Sequence, residues 1–254
     1  MSATLVFARK EAVEIVRTWR IWVLPAIILF FAITAPLLAR FTPEIVGAVA
    51  GDQLGGLTLP PGTSLDAYGQ WIKNLSQITL FALIIIYGGI VSSETSSGTA
   101  ILVLTKPMSR TAFVAVKAVI HSTFLVALAV IGALITWGLT AAVFGTAAPG
   151  PLWSSTLIWI VLGVFYIGLM TFFSVLIPSA AGAAGAGMGA FVLLAIAALW
   201  KPLGDHSPAG LAGQAAALAA GKTVPDLLWP VLVSLGAAVA LVAAAALLFR
   251  RKEL

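Results

Sequence analysis

One interior stretch of the 254-residue chain stands out for its ionisable and hydroxyl side chains, S-S-E-T-S-S-G-T-A-I-L-V-L-T-K-P-M-S-R from Ser92 to Arg110. Glu94, Gly98 and Thr99 open it, Ile101 to Leu104 supply an apolar run, and Lys106, Pro107 and Arg110 close it. A short amphipathic helix with charged ends can sit in a partner's groove and pass on rigid-body movement, so the chemistry on offer is docking. The competing reading is a solvated loop whose basic residues only set membrane topology.

Covalent chemistry has little to work with. The chain holds no cysteine, which removes thiolate zinc sites and cysteine nucleophiles. Neither G-x-S-x-G nor H-E-x-x-H occurs, and no carboxylate pair lies within an apolar segment, so hydrolase, protease and proton-coupled carrier chemistry lack their residues. The run A-A-L-A-A-G-K-T from Ala216 to Thr223 has alanine where a phosphate loop needs its first glycine, and no strand precedes it. Gly182, Gly185, Gly187 and Gly189 imitate a dinucleotide fingerprint, yet they lie in an apolar segment. There Gly182, Gly185 and Gly189 predict close helix packing, against a neighbouring span or a partner subunit. Only two histidines occur, His121 and His206. They are too separated to suggest a metal cluster, and His121 reads either as a proton relay or as a hydrogen-bonded or interfacial side chain.

What must position the polar stretch is a set of membrane spans. Hydrophobic residues make up 61% of the chain and charged ones 9%, far from the roughly 25% charge of a soluble domain. Ala118 to Trp200 contains no Asp, Glu, Lys or Arg. Six segments have the roughly 20 apolar residues a span needs: 21–39, 72–91, 118–143, 153–177, 180–200 and 229–249. With both termini placed in the cytoplasm, ten of the fourteen basic residues fall inside: Arg9, Lys10, Arg17, Arg20, Lys106, Arg110, Lys117, Arg250, Arg251 and Lys252. That bias sets the orientation and accounts for the net charge of +5 without nucleic acid.

Trp19, Trp22, Trp71, Trp153, Trp200 and Trp229 fall at span ends, where indoles collect, while Trp137 and Trp159 sit further in and read as core. Pro230 suits a first helical turn, and Pro25 and Pro36 predict kinks or a break in the first span. Residues 1–20 read as an amphipathic helix lying in the inner membrane surface, with Leu5, Ala8, Ala12, Ile15, Val16 and Trp19 in one arc and Lys10, Glu11, Glu14 and Arg17 opposite. Phe7 breaks the pattern. Residues 201–228 could form a short helical hairpin, and neither they nor 41–70 suggest a separate domain.

The expectation is therefore an all-α membrane protein: one transmembrane domain over residues 1–254, six spans, an interfacial helix and a cytoplasmic coupling helix between spans 2 and 3 within residues 92–112. A segment opening on Glu94, carrying Gly98 and Thr99 and closing on K-P-x-S-R, set in this layout, resembles the type-2 family of ABC transporter permeases along nearly the whole chain. The resemblance implies a permease that hydrolyses nothing itself and binds no cofactor, with ATP and magnesium held by a separately encoded ABC ATPase present in two copies. It further implies a second permease chain, identical or paralogous, in a bacterial inner membrane. Glu94, Gly98, Thr99, Lys106, Pro107 and Arg110 would form the ATPase-coupling segment, beside an interfacial helix marked by Leu5, Ile15, Val16 and Trp19. Export of an amphipathic or hydrophobic cargo follows from the resemblance and from the scarcity of charge within the spans. The alternative is a membrane scaffold that anchors soluble partners and moves nothing.

Overall fold

A computed structural model describes residues 3–18, 20–50, 60–105 and 108–252. It is built of helices, with no strand among the described residues. Six of them are long and apolar enough to cross a membrane. In chain order the helices are α1 (Ala3–Arg17), α2 (Arg20–Ala50), α3 (Ser64–Asn74), α4 (Leu80–Tyr87), α5 (Ser92–Ser96), α6 (Thr99–Leu104), α7 (Arg110–Phe144), α8 (Pro149–Leu176), α9 (Ala180–Ala197), α10 (Lys201–His206), α11 (Leu211–Ala219) and α12 (Leu228–Arg250). A π-helical turn, Leu75–Thr79, joins α3 to α4, so the second span is one rod with a local insertion rather than two helices.

Hydropathy locates the six spans, but the rods outrun their apolar centres. Helix α2 has 31 residues and α7 has 35, about 46 and 52 Å at 1.5 Å per residue, against about 30 Å of hydrocarbon. Capping explains several ends. The Thr63 hydroxyl accepts from the Asp66 N–H while Asp66 Oδ2 accepts from the Thr63 N–H at 2.8 Å, a reciprocal box that opens α3. Ser109 and Ser179 accept from Ala112 and Gly182 N–H groups to open α7 and α9. Pro230 falls in the first turn of α12, as expected.

Of the expected kinks or break in the first span, the break is absent, because α2 runs through Pro25, Pro36 and Pro43. Each proline leaves the carbonyl four residues earlier without its helical donor, and two of these meet other parts of the chain. The Thr136 hydroxyl of α7 donates to the Ala32 carbonyl freed by Pro36, at 3.4 Å. Gly62 lies against the Ala39 carbonyl freed by Pro43, so closely that any side chain there would collide with it.

Helix α8 is the hub: it packs against α3, α4, α7, α9, α11 and α12, and 78% of its most apolar window is buried, against 11% for α9. The expected hairpin after the fifth span is present as α10, a single 3-10 turn and α11, the last packing on α8 and α3. Trp71 departs from the expected interfacial belt. It is fully buried and donates from Nε1 to the Thr156 hydroxyl at 3.2 Å, with Gly132 of α7 leaving room for its ring. Trp159 is core, as expected, but Trp137 is not: it is exposed and donates from Nε1 to the Ala147 carbonyl at 3.0 Å; Trp22, Trp200 and Trp229 are exposed too.

Candidate functional site: an ion cluster beneath the loop between spans 2 and 3

Helix α1, the end of α12 and the polar stretch lie at one end of the bundle, and there α1, α4, α5 and α7 meet around Lys117 and His121. Along α7 the buried positions Phe113, Lys117 and His121 recur every four residues and share a face. Along α1 the same spacing buries Phe7, Glu11 and Ile15. The two stripes face each other: the Phe7 and Phe113 rings stack at 5.2 Å, and Lys117 Nζ lies 5.2 Å from the Phe113 ring centre. Glu94 of α5 closes the third side.

The hydrogen bonds make one network. Lys117 Nζ donates to Glu11 Oε2 at 2.9 Å and to Glu94 Oε1 at 2.8 Å. Lys10 Nζ reaches Glu11 Oε1 and Glu94 Oε1, both at 2.9 Å, and Glu14 Oε2 at 2.5 Å. Burial of Lys10 works to lower its pKa, but the hydrogen bonds to Glu14, Glu94 and Glu11 outweigh this and hold it above the ordinary lysine range. His121 adds an imidazole at the edge, with Nε2 3.9 Å from Glu11 Oε2 and the ring edge-on to Tyr87 at 5.0 Å. Oxygens of Glu11, Glu14 and Glu94 lie within 4.8 Å of one another. That is spacing a divalent cation could use, but the Lys10 ammonium bonds to all three carboxylates and occupies their centre.

Short contacts extend this centre to the rest of the bundle end. Ser174 of α8 accepts from the Val91 and Ser92 N–H groups at 3.0 and 2.9 Å, so a hydroxyl from a distant span caps the start of α5. Phe113 stacks on Phe249 of α12 at 5.4 Å. Arg110 donates to the Lys252 carbonyl at 2.5 Å and, more weakly, to the Arg250 carbonyl at 3.4 Å, while Lys252 Nζ donates to the Val175 carbonyl at 2.8 Å.

The residues expected to form a docking surface are therefore divided. Glu94 turns into the protein and pairs with Lys117, while the half-buried Arg110 donates to the Lys252 carbonyl and ties α7 to the end of α12. Gly98 sits between α5 and α6 at φ +73°, a left-handed conformation that opens a bend without a Cβ clash. Thr99 donates from its hydroxyl to the Glu94 carbonyl at 3.2 Å, bracing that bend. Lys106 and Pro107 lie outside the described residues. Among the described side chains, the segment exposes Ser93, Ser96, Ser97, Thr99, Ile101, Thr105 and Ser109.

The expected polar arc of α1 is revised in the same way. Ile15 is buried against the bundle, and the same stripe takes Phe7 and Glu11, because Lys117 neutralises the carboxylate. Leu5 and Val16 face outward with Val6 and Val13, and Trp19 lies outside the described residues. In α9, Gly187 packs against Met170 and Ile84, while Gly182, Gly185 and Gly189 lie on an exposed face with open space at the latter two. Sequence reasoning missed Lys117 as a site residue, having counted it as a topology signal. The available hint was a lone lysine on the apolar Phe113–Val114–Ala118 face, with carboxylates at 11, 14 and 94 assigned to the same side.

The phosphate-loop imitation ends a helix instead of opening one. Gly221, at φ +71°, donates to the Leu218 carbonyl and Lys222 N–H to the Ala217 carbonyl, the paired bonds of a Schellman cap on α11.

A family model described as "ABC-2 family transporter protein" matches residues 5–218, a span that includes the whole ion cluster. A search of curated proteins returned no match.

Proposed function

Because the chain belongs to the ABC-2 family of transporter proteins, and is thus a multi-pass permease component of an ABC transporter, we propose that it forms one half of an export pathway in a bacterial inner membrane. Its termini face the cytoplasm, in keeping with the ten basic residues at that end. A separately encoded ABC ATPase, two copies per transporter, binds the hydroxyl-bearing surface around Ser96, Ser97, Thr99 and Ile101 and supplies the ATP and magnesium chemistry. This chain contributes no hydrolytic residue and no cofactor site of its own.

The observation that carries this reading is the double salt bridge of Lys117. Pressure on α5 and α6 meets Glu94, and Glu94 shares its Oε1 with Lys117 in the first two turns of α7. A 35-residue helix pushed at one end tilts as a lever. Glu11 makes α1 part of the same rigid unit, and the outward Leu5, Val13 and Val16 suit it to the membrane surface. Export of an amphipathic or hydrophobic cargo fits walls of Ala, Leu, Val and Phe. The exposed face of α9 through Gly182, Gly185 and Gly189 suits close approach of a second permease chain.

The test is extraction of the tagged chain from native membranes in mild detergent. A soluble nucleotide-binding subunit should copurify in equal amount with vanadate-sensitive ATP hydrolysis. Recovery of the chain alone, from membranes in which other complexes survive, would sink the proposal.

A further inference from the structure

A trough of about 590 Å³ runs between α7, α8 and α12, away from the ion cluster. Its α7 wall carries Ala115, Val119 and Ser122, its α12 wall Val239 and Ala243, and its floor is Gly168 of α8, set directly against the backbone of Ala238. Val119 and Val239 are 61% and 70% exposed, so the trough opens sideways into the bilayer rather than along an axis through the bundle. From Thr111 to Val126 the α7 wall extends over 16 residues, about 22 Å, enough to cover the roughly 15 Å of hydrocarbon in one leaflet.

Charge marks one end. Val239, Ala243 and Ala246 share a face of α12, and the next position on that face is the exposed Arg250, followed by Arg251. A second hollow, lined by Leu247, Leu248, Arg250 and Arg251, lies at this helix end. Among the described residues no carboxylate pairs with either arginine, since Glu11, Glu14 and Glu94 are bound to Lys10 and Lys117. An apolar furrow of one leaflet's depth, ending in guanidinium groups at the headgroup level, matches a lipid with an anionic head.

We propose that this trough binds an anionic phospholipid, one acyl chain lying along Ala115, Val119 and Ala243 and the phosphate held by Arg250 and Arg251. Binding wedges the lipid between the last span and α7, the helix that carries Lys117, so lipid composition adjusts how freely α7 tilts. That the lipid comes from the inner leaflet rests on the orientation proposed above; the binding site itself does not.

The test is native mass spectrometry of the full-length chain in detergent, titrated with phosphatidylglycerol, phosphatidylcholine or inorganic phosphate. Phosphatidylglycerol should bind at least tenfold more tightly than phosphatidylcholine, and inorganic phosphate should not compete at equal concentration. Arg250→Gln with Arg251→Gln should weaken phosphatidylglycerol at least fivefold, while Arg9→Gln should leave it unchanged. Ala243→Leu fills the trough at an exposed position, so it should remove one bound lipid without lowering the thermal midpoint. Equal binding of the two lipids, or full binding to Ala243→Leu, would overturn the proposal. So would cross-linking of a photoactivatable probe at residue 243 to a second copy of the chain in place of lipid. Labelling of a cysteine placed at Ser96 in sealed right-side-out vesicles reports orientation separately. A reversed chain would fail the functional reading and leave the lipid measurement standing.

Discussion

Lys117→Met tests the ion cluster most directly. The parent side chain is 1% exposed, as is Glu11, and Glu94 is 10% exposed. Methionine keeps the length and the apolar stem and deletes only the ammonium, leaving two carboxylates facing each other in a dry site. Removing one partner of a buried pair typically costs about 3–5 kcal/mol. Lys10 remains 2.9 Å from one oxygen of each carboxylate, which places the expected loss near the lower figure, about 3 kcal/mol. For a chain of this size that corresponds to a drop of about 6–12 °C in thermal midpoint, read by fluorescence-detected size exclusion of heated detergent extract. Adding Glu94→Gln to Lys117→Met should recover part of the loss, since it removes one of the two carboxylates left sharing the Lys10 ammonium. The two changes should therefore be non-additive by at least about 1 kcal/mol. A Lys117→Met protein melting within about 2 °C of the parent, or strict additivity of the pair, would refute the claim that this ammonium holds α1, α5 and α7 together.

Three further outcomes follow from other parts of the bundle. Gly98→Val should cost about 1–2 kcal/mol through its φ of +73° alone, since nothing lies within 4 Å of the new Cβ; Gly98→Asn should cost less, and a larger loss for Asn would contradict the backbone argument. Gly187→Leu must displace Met170 and Ile84 and should destabilise the chain by about 1–3 kcal/mol, whereas Gly185→Leu should leave its melting unchanged and reduce cysteine cross-linking between permease chains; the reverse ranking would refute the assigned faces. Thr136→Val leaves the Ala32 carbonyl without its donor and should lower stability by about 0.6 kcal/mol, the usual size for an interhelical bond in lipid, a shift measurable by comparing thermal midpoints with Thr140→Val, whose bond stays within its own helix.

Span number was readable because hydropathy depends on composition over twenty residues and survives local detail. What escaped depends on partners distant in sequence. The helix of the third span starts at Arg110, capped by Ser109, rather than at 118; Lys117, which a hydropathy window rejects, is buried within it because residues 106 and 23 positions earlier neutralise it. The buried stripe of α1 includes Glu11 for the same reason. Trp71 was assigned to the headgroup belt on its position near a span end, and only the Thr156 hydroxyl 85 residues later explains its burial. Pro36 predicted a kink or a break, and the helix runs on because the hydroxyl of Thr136 takes up the carbonyl that the proline frees. In each case a local rule was overridden by a group that satisfies the offending atom from another helix.

The separation of Glu11 from Lys117 has a consequence for biogenesis. At about 5–20 residues per second, the ribosome adds the 106 intervening positions in about 5–20 s. Throughout that interval the first helix has been made, yet its carboxylate has no partner from α7, so α1 waits at the membrane surface while two spans insert beside it. Helix α1 is thus locked only when the third span arrives, and a nascent chain stalled short of residue 117 should expose α1 to protease.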